Sequence, residues 1–206
     1  MGATMSQHGT AQGNRKKRQR GFSLIEVMIA IVVLAIGMLA LIATFGTAIA
    51  ATESAQEDLI ARHKALDALE SIYTARNAEQ VPFASINNTT NGGIFLPGPQ
   101  PLLCAGSDGL VGTGNVVACT APDTGAACPG GVECLVLPGP DGILGTADDV
   151  LLSLSNFTRT IAFNPVLKPT GGINTNLIAV TITVQYTKPG WPARTYTVNG
   201  LISSYH

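Results

Sequence analysis

Charge is scarce in this chain. Asp, Glu, Lys and Arg make up 12% of its 206 residues, about half the usual share. From Val27 to Thr52 there is none of them and no His, and no proline occurs before Pro82. Histidine appears only at positions 8, 63 and 206, and no two cysteines are spaced C-x-x-C. Each shortage excludes something. The scattered histidines leave no Ser-His-Asp or Cys-His arrangement, and no glycine loop precedes a helix to cradle phosphate. The chain therefore reads as a substrate of enzymes and not as an enzyme. The missing C-x-x-C pair argues against zinc. The missing prolines and charges leave an apolar helix free to run without interruption.

What is present begins with RKKRQR-GFSLIEVMIAIVVLAIGMLALIATF, residues 15 to 45. A membrane span needs about 20 predominantly apolar residues, and this run exceeds that. Basic residues flank it on one side only. Of twelve Lys and Arg, five (Arg15, Lys16, Lys17, Arg18, Arg20) precede Gly21 with no acid among them. Seven then remain against all 13 Asp and Glu, a net of −6. Basic flanks stay cytoplasmic, so the remainder is expected to be exported. A nucleic-acid patch is the other reading of the basic run, but its place directly before a span favours a topogenic role.

The four cysteines, Cys104, Cys119, Cys128 and Cys134, all fall in the exported part, where disulfides are permitted. Four cysteines allow three pairings. Nearest-neighbour pairing, 104 with 119 and 128 with 134, closes the shortest loops and is preferred, though spacing does not dictate it. Glu26 is the anomaly. A secretory signal peptide has a shorter apolar core with no carboxylate at its start. A carboxylate inside a span calls for a named partner, unless it snorkels to the interface.

Basic leader, Gly21, then Phe22-Ser23-Leu24-Ile25-Glu26 resembles the class III signal of type IV pilins and pseudopilins. The resemblance implies cleavage after Gly21 by prepilin peptidase, N-methylation of Phe22 and retention of the apolar stretch. It also implies a partner for Glu26: the free N-terminal amine of a neighbouring subunit. The expected parts are a leader at 1–21, a transmembrane and assembly helix at 22–52 and an amphipathic helical half at 53–77. A loop-rich cysteine region at 78–150 and a sheet at 151–206 follow. From Glu53 the helix turns amphipathic, with Leu59, Leu66 and Tyr73 every seven residues and Ile60, Leu69 and Ile72 filling the same face. Gly37 and Gly46 are soft points. About 55 residues at 1.5 Å each predict roughly 80 Å of helix.

Beyond Pro82 the text is loop-like (NNTTNGG, LPGPQP, APDTGAACPGG), with a short strand expected at Glu133–Leu137. Phe157–Phe163, Leu177–Tyr186 and Ala193–Ser203 read as strands, the last two joined through Lys188–Pro192. An antiparallel sheet over a long helix gives an α+β, pilin-like fold. The C-terminal arrangement resembles PilV-type minor pilins and the related I-type pseudopilins. The resemblance implies a single-pass inner-membrane protein with its N-terminus cytoplasmic and its head periplasmic, later moving to the pilus. Its partners would be minor and major pilins and the inner-membrane assembly platform, and no nucleic acid. A type II secretion pseudopilin, a pilin-exported adhesin or binding module, and a plain signal-anchored protein are the alternatives.

One repeat stands out. GSDGLVGTGNVV (106–117) and GPDGILGTADDV (139–150) align without gaps. Asp141, Asp148 and Asp149 could converge on calcium, a cation of six to eight oxygens. Alternatively the acids cap Gly-rich turns. No cofactor is otherwise required. The sequons at Asn87, Asn88 and Asn156 are weak signals.

Overall fold

The computed structural model describes residues 21, 23–188 and 190–205. The leader up to residue 20, Phe22, Pro189 and His206 lie outside the described residues. One helix, α1, spans Leu24–Asn77 and is uninterrupted at Gly37 and Gly46. Contact density divides the chain into Met1–Ala50 and Ala51–His206, and α1 contributes to both units.

In the first unit every side chain from Leu24 to Ile49 is exposed. The helix is long and apolar enough to cross a membrane. Uniform apolar character around a helix means burial in lipid or among other helices.

The second unit lays its part of α1 over a four-stranded antiparallel sheet. Its strands are β1 (Gln100–Pro101), β4 (Phe157–Leu167), β5 (Ile173–Tyr186) and β6 (Arg194–Ser203), in the order β1-β4-β5-β6. A two-stranded sheet pairs β2 (Cys134–Leu137) with β3 (Val150–Ser153). Strand alternation is clear in β4, whose first seven residues bury every second side chain. Phe157, Ile161 and Phe163 face α1 together with Val180, Ile182 and Val184 of β5 and Ile202 of β6. β4 starts at Phe157, β5 ends at Tyr186 and β6 ends at Ser203 as expected, but β4 continues to Leu167 and β5 begins already at Ile173, past a register shift between Pro165 and Val166.

The buried face of α1 corrects the seven-residue reading. Ala61, Ala65, Ala68, Ile72 and Ala75 form the buried stripe, whereas Leu59 is 54% and Leu66 38% exposed. Leu69 and Tyr73 are only partly buried at its margin. Four of the five buried apolar positions of this stripe are alanines, and the strands supply most of the core's bulk. Gly200 is the matching concession on β6. A Cβ there would lie 2.8 Å from the Tyr73 hydroxyl and 2.9 Å from Leu69 Cδ1. The helix ends where Glu79 takes a left-handed φ of 57° and Gln80 N–H donates back to the Ala75 carbonyl at 2.9 Å.

The expected boundary between residues 150 and 151 falls inside β3. The cysteine-containing region is not a separate loop. It is tied by disulfides Cys104–Cys119 and Cys128–Cys134, the nearest-neighbour pairing. Its backbone is tied within itself, Glu133 N–H donating to Leu102 C=O at 2.7 Å, and to the rest, Leu154 N–H donating to Glu133 C=O at 2.9 Å.

Candidate functional site

Glu26 lies in the first turn of α1. The helix starts on Ser23, whose carbonyl accepts from the N–H groups of Glu26 (3.0 Å) and Val27 (3.3 Å). A carboxylate at this end is favoured by the helix dipole. It shares a shallow groove with Val27, Ala30, Ile31 and Leu34, all apolar. Gly21 is exposed with open space where a Cβ would sit. Phe22 lies outside the described residues.

Charge within the second unit fastens α1 to the sheet. Tyr186 donates its hydroxyl to Asp58 Oδ1 at 2.6 Å, and Arg194 donates to Asp58 Oδ2 at 3.0 Å. Glu53 pairs with Lys188. Burial first, and then the Asp58 carboxylate, raise the Tyr186 pKa above the ordinary tyrosine value. Deeper in, Glu133 sits between Lys64 of α1 (2.5 Å) and Arg159 of β4 (3.8 Å). Arg159 is 3% exposed and its Nε has no hydrogen-bond partner. Burial lowers the Arg159 pKa, and the charges of Glu133 and Asp67 oppose that.

Asn88 opens one of the sequons. It is buried, with Nδ2 donating to Ile161 C=O at 2.8 Å and Oδ1 accepting from Phe163 N–H at 3.2 Å. The side-chain amide stands in for a neighbouring strand on β4. Its role, like those of Glu133 and Arg159, depends on residues tens of positions away.

The repeated segments adopt matching turns. Asp108 and Asp141 each accept from the N–H two residues on, Leu110 at 3.1 Å and Ile143 at 2.8 Å. A Cβ at Gly106 would lie 1.6 Å from Asn115 O, and one at the equivalent Gly139 would lie 2.3 Å from Asp148 O. Glycine is what lets each loop close. In the second copy Asp148 accepts from the Thr146 hydroxyl at 2.6 Å, which holds its pKa below the usual carboxylate value. Asp149 Oδ2 accepts from the N–H groups of Gly145 and Thr146, while its Oδ1 is buried without a partner. Among the described residues no three His, Cys, Asp or Glu are grouped to hold a metal ion. Asp141 Oδ1, Asp148 Oδ1 and Asp149 Oδ2 each accept a hydrogen bond that caps a turn of this loop.

Residues 16–42 match the family model described as the prokaryotic N-terminal methylation motif. No curated protein and no solved structure matches the chain. The prepilin-type motif leads into the apolar helix, and that helix packs on the antiparallel sheet in a pilin-like α+β fold. The motif implies processing by prepilin peptidase and assembly with other pilins, and together with the apolar helix it points to inner-membrane anchoring before assembly; proteins of the pilin family are structural and not enzymatic.

Proposed function

We propose that this chain is a minor pilin, a low-copy subunit at or near the tip of a type IV pilus that helps prime its assembly. The observation that carries the reading is one carboxylate, Glu26, in the first turn of a helix whose side chains from Leu24 to Ile49 are otherwise uncharged and all exposed. Such a surface needs lipid first and then other helices. An unpaired charge in a dry bundle costs several kcal/mol, and a paired one recovers much of that, so the pair checks register more than it adds stability.

In this reading prepilin peptidase cuts after Gly21 and methylates Phe22. The amine so created on one subunit meets Glu26 of its neighbour, which couples processing to assembly. The C-terminal strand arrangement supports a PilV-type subunit. A type II secretion pseudopilin would use the same helix, and the genes surrounding this one separate the two systems.

The test has two readouts. Mass spectrometry of the mature protein is expected to find a chain starting at methyl-Phe22. Glu26→Ala should leave cleavage largely intact and remove the subunit from sheared filaments. A chain still carrying residues upstream of Phe22, or wild-type incorporation of the variant, overturns the proposal.

A further inference from the structure

We propose that the head carries a binding site for a neutral saccharide. The site is a cavity of about 500 Å³, within the range of small-ligand pockets. One wall is the pair of short 3-10 turns Phe83–Ser85 and Thr89–Asn91. The other is the end of β4 and β5 around the register shift between Pro165 and Val166. The filament reading makes no use of this cavity, so the two stand or fall separately.

The lining decides the ligand class. Asn87, Asn91, Asn164, Asn174 and Thr175 line the cavity together with Phe83 and with aliphatic residues of β4 and β5, and none of the described lining residues is charged. Each amide offers two donors and an acceptor, and the hydroxyl offers both. Asn174 uses Oδ1 to accept from Asn176 N–H at 3.0 Å, which leaves its two amide protons to donate. Asn164 and Thr175 are exposed to solvent in the open cavity.

A charged ligand would find no counter-charge here, and a desolvated unpaired charge is costly. A wholly apolar ligand would bury the amides without partners. A sugar ring meets both demands, since its hydroxyls accept and donate in the plane of the ring while its C–H face packs on an aromatic side chain. Phe83, half-buried, offers such a face.

The experiment uses the full chain in lauryldimethylamine oxide, because a glycoside detergent would compete. Glucose, galactose, N-acetylglucosamine and glucuronate are titrated separately and followed by saturation-transfer difference NMR. Saturable transfer to ring C–H protons of at least one neutral sugar is expected, with none to glucuronate. Asn164→Ala should weaken that binding about three- to tenfold, the loss of one or two neutral hydrogen bonds. Phe83→Leu should weaken it and reduce transfer to the C–H face. Thr175→Val serves as a second polar variant should Asn164→Ala change the melting temperature. Absence of saturable transfer from all three neutral sugars, affinity unchanged in folded variants, or preference for glucuronate overturns the proposal.

Discussion

Enlarging Ala65 tests the helix-to-sheet contact most directly. Ala65 is fully buried in the middle of the alanine stripe, with Ala61 and Ala68 fully buried on either side. Val180, Ile182 and Val184 of β5 belong to the same core and are each fully buried. Ala65→Leu adds three carbon atoms where no space exists. Overpacking of a tight core costs about 1–3 kcal/mol, and in a domain of this size each kcal/mol lowers Tm by about 2–4 °C. The expected fall is therefore several degrees to about 10 °C, read by near-UV circular dichroism of the detergent-solubilised chain. Leu66→Ala is the control. Leu66 is one residue away, 38% exposed and on the seven-residue repeat, and its truncation should cost no more than about 0.5–1 kcal/mol. The reasoning is refuted if Ala65→Leu leaves Tm unchanged, or if Leu66→Ala proves the more damaging of the two.

Three further outcomes are expected. Glu133→Gln strips the buried Arg159 of its nearby carboxylate and should destabilise the head by about 3 kcal/mol, measured by urea unfolding; a loss below about 1 kcal/mol would show that Arg159 is compensated elsewhere. Tyr186 has a raised folded-state pKa, so its contribution is intact below the ordinary value of 10.0 and is lost as pH rises through the higher folded value. Tm scans in alkali should show that loss in the wild type and its absence in Tyr186→Phe. Calcium titration should leave Tm unchanged if the 139–150 loop is held by its own turn caps, and a rise that Asp148→Ala abolishes would assign the loop a cation.

Much of the molecule was legible from the sequence because it rests on local rules. An apolar run without proline reads as α1, and dense Thr, Val and Ile read as β4, β5 and β6. Repeated G-x-D-G reads as a pair of turns, since an Asp side chain reaches the N–H two residues away. Position 26 is conspicuous because a carboxylate interrupts an otherwise uncharged segment. The contact face was legible in part: Ile72 is buried and Ile60, Leu69 and Tyr73 pack against the core, but Leu59 and Leu66 are exposed. Hydrophobic periodicity weights Leu59 and Leu66 heavily and alanine hardly at all, yet the positions buried against the head are mostly alanines. Asn88, Glu133 and Arg159 were invisible for a related reason. Their partners are set by topology, and no short window of sequence contains both ends of the interaction. The boundary placed before residue 151 failed similarly, since β3 is recognisable as a strand only beside β2.

The margins of the main sheet carry a consequence for how copies of this protein behave when crowded. The amide of Asn88 occupies Ile161 and Phe163 on β4. On β6, Tyr73 donates to the Leu201 carbonyl, and Arg76 to those of Ser203 and Tyr205 just beyond. Backbone groups left bare at such places template further strands and lead to aggregation. Here side chains occupy backbone groups of β4 beyond the short β1 and of the last residues of β6, which leaves fewer bare positions at which a neighbouring head could add a strand.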